Sequence, residues 1–83
     1  ASDVYKRQKE LIAGALHNIL RNLRYRDLRG TDLMAETEAV QTEVLRLESV
    51  RHINELMACE GRARAAYYQA FEKIIKRDVE FKK

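Results

Sequence analysis

One stretch decides how this chain folds: ELMACEGRARAAYYQAF, residues 55–71. Wound as an α-helix at about 100° per residue, it places apolar side chains along one stripe. They are Ile53, Leu56, Met57, Tyr67, Tyr68 and Phe71. Glu60 and Arg64 lie within that stripe, while Arg62 points roughly the opposite way. A carboxylate on an apolar face is costly unless it is paired, protonated or bound to a metal, so Glu60 most needs an explanation.

Two explanations of Glu60 are open from spacing alone. A buried ion pair with Arg64, four residues on, would fix the register of the helix. A functional role is favoured by Gly61, because glycine inside a helix costs on the order of 1 kcal/mol relative to alanine. Gly61 therefore indicates a kink, or a group that passes close to the backbone beside Glu60.

The order of residues in this stretch resembles a known family. The pattern E-L-M-x-x-E-G-x-x-R-x-x-Y-Y-x-x-F over residues 55–71 is similar to the helical-domain signature of the CRISPR-associated endonuclease Cas-one, the integrase of spacer acquisition. Cys59 departs from the pattern, which has an aliphatic residue there, but it is of similar size. The resemblance implies an all-α fragment, the N-terminal part of the helical domain of a larger two-domain (β + α) protein.

The same resemblance implies roles for several residues. Glu60, the glutamate of the Glu-Gly step, would be catalytic and one of the three ligands of Mg²⁺ or Mn²⁺. The other ligands, a histidine and an aspartate, would lie outside these residues. Arg64 would orient Glu60 or contact a phosphate, and Tyr67 and Tyr68 are candidates for the same roles. Arg62, on the other side, is a candidate contact for DNA or a neighbouring subunit.

The implied activity is metal-dependent cleavage and joining of DNA. In this family the 3′-OH end of a spacer is joined into the repeat array. The expected partners are double-stranded DNA, a second copy in a homodimer, and the small companion adaptation protein Cas-two. Because one carboxylate holds a hard cation poorly, we expect the 83-residue chain to be inactive by itself.

Composition bounds the fold and the compartment. Eighty-three residues, no proline and three glycines, in a composition dominated by helix formers, predict one small all-α domain, a three-helix antiparallel array. No apolar run approaches the roughly 20 residues needed to span a bilayer, and a single cysteine fits a reducing compartment. We therefore expect a cytoplasmic protein without a membrane segment.

The first eight residues, ASDVYKRQ, show no helical periodicity. They resemble the in-frame translation of a transposon adaptor end, so we expect residues 1–8 to be a non-native leader. Residues 9–83 would then be a partial helical domain from a gene cut off upstream.

Periodicity predicts helices at about residues 9–26, 32–47 and 50–76. Thr31 and Ser49 are the predicted N-caps of the second and third helices, and Gly30 is the predicted stop of the first. The second helix carries an apolar seam with alternating steps of four and three, and its glutamates should cover other faces. The seam consists of Leu33, Thr37, Val40, Val44 and Leu47.

The first helix also carries candidate DNA contacts. The segment GALHNILRNLRY, residues 14–25, resembles the helix that opens the helical domain of the same family. Candidate contacts with the DNA backbone are Asn18, Arg21, Asn22 and Arg24. A solvated helix face is the alternative.

Charge is laid out in blocks. Residues 1–30 and 61–83 each carry seven basic and three acidic groups, whereas residues 31–60 carry two and seven. The basic blocks could attract nucleic acid, although charge alone favours a solvated, salt-bridged surface. The alternative function is therefore a non-catalytic helical module that binds nucleic acid or oligomerises and that has a buried Glu60–Arg64 pair.

Overall fold

The computed structural model describes residues 2–81 and is built from three α-helices. They are α1 (Ser2–Leu28), α2 (Met34–Arg46) and α3 (Ile53–Phe81), and a short 3₁₀ turn, Leu47–Ser49, follows α2. No strand occurs between residues 2 and 81. The predicted all-α, three-helix fold is confirmed.

Long-range contacts fix the directions of the helices. Lys9, near the start of α1, donates to the carbonyl oxygen of Val50, which follows the 3₁₀ turn, so α1 and α2 are antiparallel. Arg77, near the end of α3, donates to Thr31 before α2, so α2 and α3 are antiparallel as well. The three helices form a rod of 54 × 17 × 16 Å.

The core lies along the axis of this rod. Helix α1 contributes large aliphatic side chains at helical spacing, whereas α3 contributes mostly small ones. The buried residues of these two helices are Ile12, Leu16, Leu20, Leu23, Leu56, Cys59, Ala63, Ala66, Ala70 and Ile74. Small side chains on α3 let the helices approach closely, so large and small residues interdigitate.

Helix α1 is longer than periodicity predicts. It begins at Ser2 rather than near Lys9, and the Tyr5 hydroxyl donates to the Val50 carbonyl oxygen at 2.8 Å. The non-native origin of residues 1–8 stays a prediction. At the other end Gly30 has φ of +105°, and the Thr31 amide donates back to the Arg26 carbonyl oxygen, which is a typical glycine stop.

The predicted N-caps are wrong. The Asp27 Oδ1 accepts from the Leu33 amide at 3.0 Å and the Asp32 Oδ1 from the Met34 amide at 3.4 Å, so two aspartates satisfy the start of α2. Thr31 instead accepts from Arg77 at 3.2 Å. Carboxylates accept these amide hydrogen bonds more strongly than a hydroxyl does.

Ser49 lies in the 3₁₀ turn, and its hydroxyl donates to the Arg46 carbonyl oxygen at 3.1 Å. Helix α3 starts at Ile53. The Glu55 carboxylate in its first turn accepts a hydrogen bond from the backbone amide of Arg51, which precedes the helix. The extra turn inserted after α2 moves the start of α3 three residues beyond the predicted position.

Helix α3 is unbroken at Gly61, so it does not divide into two pieces there, and a close approach by a group outside the described residues stays a prediction. The helix is continuous from Ile53 to Phe81. A Cβ placed on Gly61 would meet no atom within 4 Å among the residues described. The glycine therefore has no packing role in this part of the molecule.

The apolar seam of α2 packs as predicted, but two of its glutamates do not stay outside. Leu33, Val40 and Leu47 are buried, and so are Glu36 and Glu43. These carboxylates are buried because basic side chains of α3 reach them.

No helix within residues 2–81 is long and apolar enough to cross a membrane.

Candidate functional site around Glu60

The apolar stripe that the sequence predicts on α3 is not the face that packs. Only Leu56 of the predicted set is buried; Ile53, Met57, Tyr68 and Phe71 are between 47 and 62% exposed. The packing face lies to one side of the stripe, where cysteine and alanine allow the helices to meet. The stripe thus forms an edge of α3 that is open to solvent in this part of the chain.

Glu60 lies in the middle of this open edge. Its side chain is 21% exposed, and the Arg64 Nη2 donates to its Oε2 at 3.4 Å. The Glu60–Arg64 pair therefore forms, as spacing predicts, but it is not the buried pair of the alternative interpretation. The Arg64 side chain is 45% exposed, and such a pair adds only about 0.3–0.5 kcal/mol to the stability of a helix.

The residues that surround Glu60 do not complete a metal site. No group of three His, Cys, Asp or Glu side chains that could hold a metal occurs within residues 2–81. Glu60 can supply one hard oxygen ligand, and Mg²⁺ or Mn²⁺ needs several. Among residues 2–81, Glu60 can therefore supply one ligand of such an ion but not a complete coordination shell.

Tyr67 and Tyr68 lie on the same edge as Glu60, two turns further along α3. The ring centroids of the two tyrosines are 6.3 Å apart, and Tyr67 is 6.5 Å from Phe71. Tyr67 is half-buried and Tyr68 is 62% exposed. The sequence-predicted residues Glu60, Arg64, Tyr67 and Tyr68 are therefore brought to one surface.

Arg62 lies on the opposite edge, as predicted, and there it contacts α2. Its Nε donates to the Glu43 Oε1 at 3.0 Å, and its Nη2 donates to the Cys59 Sγ at 3.5 Å. Burial, together with the Glu43 carboxylate, raises the pKa of the Cys59 thiol, which makes it a poor nucleophile. The guanidinium thus has a structural partner, and its contact with DNA or another subunit stays a prediction.

A second ion pair ties α2 to α3 one heptad away. The Lys73 Nζ lies 2.7 Å from the Glu36 Oε1, and this hydrogen bond raises the pKa of Lys73. Sequence reasoning missed both buried carboxylates. The signal was their spacing: Glu36 and Glu43 are seven residues apart, which places them at the same edge of the apolar seam.

The candidate DNA contacts of α1 lie on its outer face. Asn18, Arg21 and Asn22 line an open depression of about 370 Å³. Its fourth lining residue is Tyr25, which sequence reasoning missed although it lies one turn after Arg21. Arg24 is exposed but does not line the depression.

Comparison with known proteins shows the family. The family model described as CRISPR associated protein Cas1, the Cas-one of the resemblance above, matches residues 3–83. The chain is 39% identical over 75 residues to a CRISPR-associated endonuclease Cas1 of Fusobacterium nucleatum, covering 90% of this chain and 22% of that protein. It is 37% identical over 78 residues to one of Clostridium perfringens, covering 90% and 23%. A third, from Thermodesulfovibrio yellowstonii, is 39% identical over 67 residues, covering 81% and 19%.

No solved structure matches the chain. The chain spans about a fifth of the length of the curated relatives it matches. The match covers nearly all of the helical array, including α3 and its Glu-Gly step. The chain belongs to the family of the CRISPR-associated protein Cas1.

Proposed function

We propose that this chain is part of a metal-dependent DNA endonuclease and integrase of CRISPR adaptation, which joins spacer 3′-OH ends into the repeat array. The observation that carries the proposal is the position of Glu60. It is a carboxylate on the open edge of α3, paired only within its own helix. The relatives are named endonucleases, which supports cleavage of nucleic acid by the whole protein.

In the whole protein, Glu60 would supply one ligand of Mg²⁺ or Mn²⁺, and residues outside this segment would supply the others. When bound, such an ion neutralises the charge that develops on a phosphate under attack. Glu60 would hold its oxygen towards the ion, and Arg64 would fix the orientation of that carboxylate through its hydrogen bond to Oε2. Tyr67 and Tyr68, on the same edge, are the proposed contacts for the DNA strand.

The proposal extends to partners and location. Double-stranded DNA, a second copy in a homodimer and the companion protein Cas-two would be the partners, and the cytoplasm the compartment. The 83-residue chain would be inactive alone, because residues 2–81 hold no group of three side chains that could complete the metal site around Glu60.

The test uses the whole protein, obtained by sequencing outward from both ends of this gene. Strand cleavage and joining in Mn²⁺ would be measured for the wild type, for Glu60→Gln and for Glu72→Gln, an exposed carboxylate of α3 that lies about 120° around the helix from Glu60. We expect Glu60→Gln to abolish both activities and Glu72→Gln to retain them. Activity of Glu60→Gln, or Glu60-dependent nicking by the 83-residue chain alone, would contradict the proposal.

A second candidate function, a non-catalytic docking module, is favoured by the other residues of the open edge. Several large apolar side chains there are about half exposed: Ile53, Met57, Tyr68, Phe71, Ile75 and Val79. An apolar edge of this kind fits a surface that another element or subunit covers. A module that oligomerises through this edge predicts a helical signal that grows with protein concentration and no DNA binding. A module that binds nucleic acid predicts instead salt-sensitive DNA binding that Glu60→Ala leaves unchanged.

A further inference from the structure

The packing face of α3 is uniform in its central part. Between Leu56 and Ile74 its buried side chains are all small: Cys59, Ala63, Ala66 and Ala70. Side chains of nearly equal size, repeated every three or four residues, pack about equally well after the helix slides along its axis by one or two turns. Packing alone therefore leaves the axial position of α3 weakly specified.

Two ion pairs mark one axial position of α3. The Arg62 Nε lies 3.0 Å from the Glu43 Oε1, and the Lys73 Nζ lies 2.7 Å from the Glu36 Oε1. The two glutamate side chains are 8% and 6% exposed, so each needs a cation beside it. Arg46 lies 3.7 Å from Glu43 as well, but it belongs to α2 and keeps this contact wherever α3 lies. Arg62 and Lys73 are therefore the partners whose contacts depend on the position of α3.

The same edge of α3 carries an acidic residue one heptad outside each cation. Glu55 precedes Arg62 by seven residues, and Glu80 follows Lys73 by seven. A spacing of seven returns to nearly the same side of a helix. Glu55 and Arg62 line one cavity at the end of α2, which places Glu55 on this edge. In order along α3, the edge has an acid, two bases and an acid, opposite two buried acids of α2.

A slip of α3 by seven residues in either direction would remove both cations and add a carboxylate. In one direction Glu55 would come opposite Glu43, and in the other Glu80 would come opposite Glu36. Two carboxylates side by side in a buried setting are strongly unfavourable. The first slip is otherwise accessible, because the six residues 47–52 can still connect the two helices.

We propose that this charge pattern, rather than side-chain packing, sets the axial register of α3. Arg62 and Lys73 select the register, and Glu55 and Glu80 exclude the neighbouring heptads. Glu60 lies two residues before Arg62, so a slip of one heptad would carry its carboxylate about 10 Å along the rod. The four charged residues are thereby positioning residues for Glu60. That this position matters for catalysis rests on the proposed function, whereas the register itself does not.

The test measures the distance between two nitroxide labels in the 83-residue chain by pulsed electron paramagnetic resonance, with circular dichroism as the check on folding. The labels are attached at Ala35→Cys on α2 and Ala58→Cys on α3, both exposed positions, in a Cys59→Ala background. The two sites lie at different levels of the rod. A slip that brings Glu55 opposite Glu43 therefore shortens their distance by up to about 10 Å. With all charges in place we expect a single distance.

The first variant removes the buried carboxylates. Glu36→Leu with Glu43→Leu fills the same space with apolar groups, so the chain should keep its helical signal. We expect a second, displaced distance in more than about 10% of the molecules. The control is Glu38→Gln with Glu48→Gln, which removes two charges from exposed positions and should keep the single distance.

The second variant gives the slip a direction. Glu55→Arg with Arg62→Glu moves a cation by one heptad, so position 55 should come to lie opposite Glu43. The main distance should then shorten by up to about 10 Å. An unchanged single distance in either folded variant would overturn the inference and show that packing or the turn after α2 sets the register.

These distances need neither metal nor DNA, so the two failures are distinguishable. An unchanged distance would overturn the charge-set register and leave the Glu60-dependent activity of the whole protein intact. Activity that survives Glu60→Gln would overturn the proposed function and leave the register in place.

Discussion

The two edges of α3 both carry pairs of carboxylates and cations, but the pairs differ in burial. On the edge that faces α2, Arg62 and Lys73 meet Glu43 and Glu36, whose side chains are only 8% and 6% exposed. On the open edge, Arg64 meets a glutamate of its own helix that is 21% exposed. Each edge has carboxylates and cations within ion-pair distance.

The difference lies in what each pair joins. A buried carboxylate that reaches across to another helix must keep its partner, since an unpaired charge inside a protein is strongly unfavourable. A solvent-exposed pair within one helix joins nothing else and contributes little. The α2 edge therefore holds the helices in register, while Glu60 can exchange its partner for another ligand without disturbing the fold.

The largest expected effect separates the packing face of α3 from the open edge. Leu56 is fully buried and its neighbour Met57 is 47% exposed. Leu56→Ala should lower the free energy of unfolding by about 2–5 kcal/mol, because it leaves a cavity, and Met57→Ala by less than about 1 kcal/mol. Urea denaturation followed by circular dichroism measures both. Equal losses would mean that the open edge packs as well as the core face does.

The next effect compares the carboxylates of the two edges. Glu43→Ala removes the hydrogen-bond acceptor of Arg62 and should lower the free energy of unfolding by about 1–3 kcal/mol. Glu60→Ala should change it by less than about 0.5 kcal/mol. A loss at Glu60 as large as that at Glu43 would make Glu60 a structural residue and remove the contrast.

The two glycines Gly61 and Gly30 differ in the space around them and in backbone conformation. Gly61, on the exposed surface of α3, leaves room for a Cβ, so Gly61→Ala should raise the free energy of unfolding by about 0.4–1 kcal/mol. Gly30 has φ of +105°, and a Cβ there would lie 2.8 Å from the Arg77 guanidinium. Gly30→Ala should therefore lower it, by about 1–2 kcal/mol. Thermal unfolding of both variants tests the signs; destabilisation by Gly61→Ala would show that something does approach its backbone.

The smallest expected effect is a loss of stability at alkaline pH. The pKa of Cys59 is raised in the folded chain by burial, and that of Lys73 by its hydrogen bond to Glu36. Each group therefore keeps its proton longer when folded than when unfolded, so stability is complete below the unfolded pKa and falls as pH rises. The decline should begin above 9.0, where an unfolded cysteine ionises, and continue above 10.5 for lysine.

Lys73→Met should remove the part of this decline above 10.5, whereas Lys76→Met, at an exposed position, should keep it. Urea midpoints measured at a series of alkaline pH values give the comparison. The same decline in Lys73→Met as in wild type would show that the Glu36–Lys73 pair does not contribute.

Periodicity was sufficient to predict the number of helices and the seam of α2, because both follow from how apolar residues repeat along the sequence. It could not predict the packing face of α3, since two apolar stripes lie side by side there. The stripe of larger residues is the more conspicuous in sequence, but close approach favours Cys59, Ala63 and Ala70.

Capping and ion pairing also depended on partners that sequence does not locate. Threonine is a common N-cap residue, yet the amide of Leu33 donates to the Asp27 carboxylate of the preceding helix and not to Thr31. Glu36 and Glu43 read as surface residues until α3 brings Lys73 and Arg62 against them. Glu60, in contrast, can be identified as a candidate from the sequence alone, because the feature that singles it out, a carboxylate within an apolar stripe, lies within one helix.

We propose that Glu60, unlike Glu36 and Glu43, serves to bind a ligand rather than to hold the helices together. The most direct test is the affinity of the whole protein for Mn²⁺, measured by electron paramagnetic resonance for wild type, Glu60→Gln and Glu72→Gln. We expect Glu60→Gln to weaken Mn²⁺ binding at least about tenfold and Glu72→Gln to leave it unchanged. Equal affinity in all three proteins would show that Glu60 is no metal ligand, only half of a surface ion pair.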